Sequence, residues 1–426
     1  MKEKLREIGS RCREYLHKIF SKLLYLIRWI FIALTVGSVV GLFATMFAKA
    51  MNFVTEFRME NKWIILMMPL VGILIVALYK FAKSDNDRGT NRVISSISSE
   101  EDVPFRMAPL IFISTVLTHF VGGSAGREGA ALQLGGSIGN SIGKAFHIDE
   151  KDKKIVIMSG MSAAFSALFG TPLAATIFSL EVVSVGIMHY SALLPCIISA
   201  LVASAFAMDM GINPDRFVVK EIPEFSAITG GQIILLALGC AVISMLFCAV
   251  MHGTSGLLKR KIPNSYIRIV VVSVVLIGLG ILLQTTDYYG AGIPVIEKAI
   301  AGEVIVLAFV IKIVFTALTL GGGFKGGEIV PSFFIGATFG CLIGQIIGLS
   351  PSLCAAIGMA SVFCGVTNCP ITSLLIGFEL FGDEVKYYLI LAVAISYMMS
   401  GYCGLYKDQR IMYSKSRTEY INTNAK

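Results

Sequence analysis

The sequence predicts an all-α integral membrane protein built of many tilted and broken helices in two related halves. Three observations predict it. Of the 426 residues, 55% are apolar or aromatic and only 15% are charged, with 42 glycines besides, whereas ordinary globular chains carry about 25% charge. The apolar runs are broken by Gly and Pro, and backbone that is irregular at membrane depth survives only when buried in protein or lining a water-filled path. Segments of the first half also return in the second. With a mean hydropathy of +0.76, neither a disordered chain nor an ordinary soluble enzyme fits.

In chain order, residues 1–22 mix charge with Leu5, Ile8, Tyr15, Leu16 and Ile19, the pattern of an amphipathic helix on the inner membrane surface. The run 23–51 is too long for the apolar part of a signal peptide and reads as retained structure. Further candidates to cross the membrane are 63–81, 107–121, 155–185, 191–208, 232–251, 269–284, 304–320, 329–349, 353–381 and 387–399. Several fall short of the ~20 residues a span needs. They read as broken or re-entrant helices. Together they form one membrane domain, 23–406, with halves at about 23–208 and 231–406, followed by a basic tail, 407–426.

The net charge of +8 concentrates at the two ends, from Lys2, Lys4 and Arg6 through Arg28, and from Lys407 through Arg417. Cytoplasmic flanks collect Lys and Arg, so both termini read as cytoplasmic and the partner of this charge is the lipid bilayer, not nucleic acid. Lys259-Arg260-Lys261 reads as a cytoplasmic loop and the acidic stretch 209–224 as an external one. Nine cysteines without a CxxC pair, most inside apolar runs, read as small buried residues. His119 has no second ligand nearby, and no phosphate loop, HExxH or GxSxG context is present. No cofactor, metal or enzymatic activity is expected.

The internal repeat is the most informative feature. Gly126-Arg127-Glu128-Gly129 is echoed by Gly326-Gly327-Glu328-Ile329, and the run from Pro172 to Glu181 by the equally long run from Pro370 to Glu379. More faintly, Gly89-Thr90 and Val93-Ile94 return as Ala291-Gly292 and Val295-Ile296. Paired, Gly- and Pro-interrupted segments point to a transporter with its site at the repeat interface.

Each Gly-rich run precedes a helix-forming one, so two helix N-termini are expected at membrane depth, with unpaired N–H groups and a partial positive charge. Pro331 suits the first turn of the second. Where they meet, an anion can bind without a full countercharge that would trap it. Glu128, an anion among amides arranged for one, can occupy that place when ionised and vacate it when protonated. Arg127 reads as a tie to nearby carbonyls. Glu181 and Glu379, each ending an apolar helix, read as sharing a structural task, such as accepting from backbone donors of a neighbouring loop. Glu328 falls in the second helix start, where it contests the anion or caps the helix.

At these residues the chain resembles the chloride-channel (CLC) family of anion channels and anion/proton antiporters. Gly126-Arg127-Glu128-Gly129 looks like its gating-glutamate motif, and Gly327-Glu328-Ile329-Val330-Pro331 like its second anion-binding helix start. Phe169-Gly170-Thr171-Pro172 with Glu181, and Thr367-Asn368-Cys369-Pro370 with Glu379, resemble its paired helix signatures, and Tyr406 resembles the tyrosine facing the central anion. The resemblance implies inverted repeats, a homodimer with one pore per subunit, and an anion path lined by Thr90, Gly129, Glu328, Ile329, Val330 and Tyr406. It implies a plasma-membrane protein exchanging anion for protons, with Glu128 as gate and proton relay. Three departures are similar to the fluoride/proton antiporter branch: an altered segment around Thr90, Val182 where chloride exchangers carry an internal glutamate, and Glu328 where they are apolar. Val330 stands where that branch carries Thr, and Thr90 where it carries Met or Asn. Fluoride/proton antiport is the leading expectation, and a chloride or broad-anion channel or exchanger the alternative.

Overall fold

The computed structural model describes residues 2–85, 87–99 and 101–425. The side chains of residues 2–10 and of residue 12 lie outside the described residues, and with them the Leu5 and Ile8 positions of the expected amphipathic face. The first half holds α1 (Lys2–Glu60), α2 (Met68–Phe81), α3 (Thr90–Ser98), α4 (Met107–Phe120), α5 (Glu128–Ala145), α6 (Glu150–Phe169), α7 (Pro172–Glu181) and α8 (Leu193–Asp209). The second repeats the order with α9 (Ala227–Lys261), α10 (Ser265–Leu283), α11 (Ile293–Ile300), α12 (Ala308–Gly322), α13 (Ile329–Ile347), α14 (Pro351–Thr367), α15 (Pro370–Phe381) and α16 (Lys386–Met399). Among the described residues, six helical stretches are long and apolar enough to cross a membrane. The others are shorter or less apolar.

The breaks have local causes. Gly170 turns left-handed at φ 66° and Pro172 opens the next helix, so the run 155–185 divides into α6 and α7. Asn368, at φ 59°, and Pro370 divide 353–381 into α14 and α15 in the same way. At the other extreme, α1 is continuous for 59 residues through position 22, where the sequence separates a surface helix from a span. At about 1.5 Å per residue it is roughly 90 Å long, about three times the hydrocarbon thickness. Its Tyr15, Leu16, Ile19 and Phe20 are exposed and its packing begins near Trp29.

Glycines bring the central helices together. A Cβ on Gly135 would strike the Gly160 carbonyl where α5 crosses α6, and one on Gly340 would strike the Cys354 carbonyl where α13 crosses α14. Without a hydrophobic drive between helices in lipid, such small-residue crossings supply the packing.

The basic tail is not plain tail. Arg410–Tyr413 (β2) and Tyr420–Asn424 (β3) form an antiparallel hairpin, and β2 pairs in parallel with Ser184–Val185 (β1) just after α7. This small sheet seals Val185, Ile411 and Ala425 from solvent and is the non-helical addition to the expected fold. The cysteines with described side chains are all free and, apart from the half-buried Cys403, fully buried.

Candidate anion pathway

The two Gly-rich loops meet backbone to backbone. Gly126 N donates to Gly327 O at 2.7 Å and Gly327 N to Gly126 O at 2.8 Å, a two-bond antiparallel bridge. A Cβ on Gly129 would lie 3.0 Å from the Gly327 Cα, so side chains are excluded from the junction. Hydroxyls stitch the loops further: Ser124 N donates to Thr319 Oγ1, and Lys325 N to Thr118 Oγ1. The starts of α5 and α13 therefore face one another at the repeat interface.

Glu128 opens α5 and is fully buried. Its Oε2 accepts from Val330 N at 3.2 Å, a donor in the first turn of α13. Its Oε1 has no partner. The carboxylate of one half thus occupies the open helix start of the other. Tyr406 is buried, with a hydroxyl that has no partner, and it lies within electrostatic range of both Glu128 and Glu328. Glu328 stands at the N-cap of α13 without capping it. Unlike Glu128 it is partly accessible. Ile329 and Val330 are buried behind it.

Thr90 is close to this junction, but its hydroxyl donates to Gly129 O at 3.2 Å and accepts from Gln133 Nε2 at 3.2 Å. Gln133 Nε2 also donates to Gly129 O at 3.1 Å. Thr90 and Gln133 hold the beginning of α5, and the Thr90 proton is committed to protein. Gln133 lies one turn into the helix, and no motif marks it in the sequence.

Arg127 donates to Leu168 O at 3.4 Å and to Asp215 Oδ2 at 3.2 Å. Asp215, from the acidic 209–224 stretch, is a partner that spacing alone does not reveal. Glu181 and Glu379 form a reciprocal pair. Glu181 accepts from Ile371 N, Thr372 N and Thr372 Oγ1 at the start of α15, while Glu379 accepts from Leu173 N and Ala174 N at the start of α7. Each carboxylate fills the orphan donors, and faces the positive dipole end, of the other half's helix. His119 Nε2 lies 3.4 Å from Gly126 O, and no cluster among the described residues suits a metal ion.

A model of the voltage gated chloride channel family matches residues 72–401. The chain belongs to this CLC family. A chloride/fluoride channel protein of Pseudomonas syringae pv. tomato is 32% identical over 398 residues, spanning 92% of this chain and 88% of the relative. An H(+)/Cl(-) exchange transporter ClcA of Vibrio campbellii is 26% identical, spanning 86% and 84%. Among solved structures, a CLC-type fluoride/proton antiporter is 32% identical with a TM-score of 0.87, covering 90% of this chain and 98% of that one. A slow cyanobacterial Cl-/H+ antiporter, 18% identical with a TM-score of 0.73 over 88% and 94%, shares the fold. This CLC protein shares the mostly helical, inverted-repeat fold of the family.

Proposed function

We propose that this CLC protein is a fluoride/proton antiporter that exports fluoride, with Glu128 as gate and proton relay. The observation that carries the proposal is the Glu128 carboxylate seated on the Val330 N–H. An ionised carboxylate there competes with a halide for the same donor and the same dipole end. Protonation removes its charge, weakens that hold and frees the N–H for an anion, so one side chain both opens the path and carries a proton. The similarity to the fluoride-named relatives at 32% identity supports fluoride as the anion.

The other groups take defined parts. The unpartnered Tyr406 hydroxyl is a ready donor to an anion, as are the amides at the Ile329–Val330 start of α13. Val182 offers no proton acceptor after Glu181, and Glu328, uncapped and partly accessible, is the second carboxylate available to aid coupling. Thr90 and Gly129 shape the path through the bonds that fix α5. The proposal includes a homodimer, multi-pass in the plasma membrane, with both termini cytoplasmic.

Reconstituted vesicles test it. A fluoride gradient imposed across vesicles of the full chain is expected to drive proton movement in the opposite direction. A fluoride flux that moves no protons would remove the coupling, and a chloride flux far exceeding fluoride would favour the broad-anion reading that Val330 and Thr90 allow.

A further inference from the structure

Two cations sit buried behind the Gly-rich loop that leads to Glu128, and neither has a carboxylate partner. Lys312 in α12 is fully buried, donating to Tyr288 O at 3.2 Å and Gly290 O at 2.7 Å. Arg58, near the end of α1, is 8% exposed, and its Nη1 has no hydrogen-bond partner. No ion pair reaches either residue among the described residues. Charges at membrane depth are expensive unless paired, and they mark ion pathways.

Both cations converge on one segment. Nη1 of Arg58 lies 2.7 Å from where a Cβ on Gly290 would stand, and Lys312 Nζ lies 3.4 Å from the corresponding point on Gly292. Gly290 and Gly292 have positive φ, 61° and 83°, and the space a side chain would take is filled by the Arg58 guanidinium at Gly290 and by the Phe334 ring, with Lys312 beyond it, at Gly292. Gly292 is the N-cap of α11, whose start no side chain caps. Gly290 N donates to Gly122 O, joining this segment to the loop that ends at Glu128.

The repeat gives the segment its meaning. In the first half, Gly89 has a positive φ and caps α3, whose start at Thr90 abuts the Glu128 junction. Gly292 and α11 are the second-half copy and, by inversion, open toward the opposite face of the membrane. There the copy has gained two buried basic side chains, Arg58 and Lys312.

We propose that the start of α11, with Arg58 Nη1 and the remaining Lys312 donor, is a halide-binding site on the Glu128 side of the protein. It would hold an anion after it passes the gate, a role that presupposes the anion export proposed above. An anion here offsets the charge of Arg58, whereas Lys312 already rests on two carbonyls and the Phe334 ring.

The test is half-saturating fluoride, measured separately from each face in vesicles of oriented full-length protein. Arg58→Gln is expected to raise it about tenfold on the Arg58 face, the loss of one charge-assisted hydrogen bond, and to leave the other face unchanged. Arg58→Lys should restore most of the affinity. An equal change on both faces, or none, shows a purely structural arginine and overturns the site. If Arg58→Gln is not monodisperse, wild-type crystals soaked in bromide decide: anomalous density within hydrogen-bonding distance of Arg58 Nη1 supports the site, and its absence overturns it. Bromide density in a protein that moves no fluoride would defeat the proposed transport function while leaving the site in place.

Discussion

Glu128 Oε2 and Val330 N are 3.2 Å apart across a sequence separation of 202 residues. That contact places the acid of one repeat on the helix start of the other, and in the proposed mechanism the charge state of Glu128 opens or closes the path. Glu128→Gln keeps the shape and the acceptor oxygen but can neither ionise nor pass a proton. Proton movement driven by a fluoride gradient is expected to fall to background, and any remaining fluoride flux to lose its pH dependence. A variant with the wild-type proton-to-fluoride ratio would mean that another group carries the proton.

Glu181 and Glu379 differ in a way that can be measured. Glu181 accepts from two backbone amides and the Thr372 hydroxyl, Glu379 from two amides. Replacing either by Gln turns one oxygen into a donor facing a donor, with an expected loss of about 1–3 kcal/mol. Thermal melting in detergent should rank Glu181→Gln below Glu379→Gln, and both below wild type. Equal melting of all three proteins would mean that these bonds contribute nothing net.

The helix crossings provide an internal control. Gly340→Ala drives a methyl into the Cys354 carbonyl, whereas a Cβ on Gly256 in α9 meets nothing within 4 Å. The first is expected to cost about 1–3 kcal/mol by overpacking, and the second to be neutral or to gain up to about 1 kcal/mol from helix propensity. Melting curves that fail to separate the two variants would show that α13 and α14 can move apart freely.

These features were unequally legible in the sequence. The two helix starts announce themselves because glycine-rich backbone inside an apolar run has few other uses, and the Gly-Thr-Pro and Asn-Cys-Pro breaks follow from local stereochemistry. What escaped depends on distant partners. Asp215 becomes a ligand of Arg127 only when the 209–224 loop folds back. Arg58 lies beyond the run 23–51 and Lys312 inside the run 304–320, and nothing in their spacing links them before tertiary packing sets both against Gly290 and Gly292. The strands β2 and β3 are too short and too polar to show a period of their own, and they are fixed by pairing, β2 with β1 and β3 with β2.

That small sheet bears on transport through Gln409. Its backbone N donates to Tyr406 O, its carbonyl accepts from Ala425 N, and its Nε2 donates to Val182 O at 3.0 Å and Thr367 O at 2.8 Å, at the ends of α7 and α14. Its Oε1 accepts from Asn368 Nδ2 at 2.9 Å. Gln409 therefore ties the turn that presents Tyr406 to both halves and to the hairpin. Gln409→Leu would strand Val182 O in a buried setting, at about 1–3 kcal/mol, and would take one partner each from Thr367 O and Asn368 Nδ2, which keep Cys369 Sγ and Cys403 O. Lower melting temperature and weaker fluoride binding are expected together, because the same bonds set the height of the Tyr406 hydroxyl. Exposed Lys407, two residues earlier, is the comparison: Lys407→Ala should stay within about 0.5 kcal/mol of wild type. If Gln409→Leu melted and bound fluoride as Lys407→Ala does, the hairpin would be an appendage with no hold on the anion path.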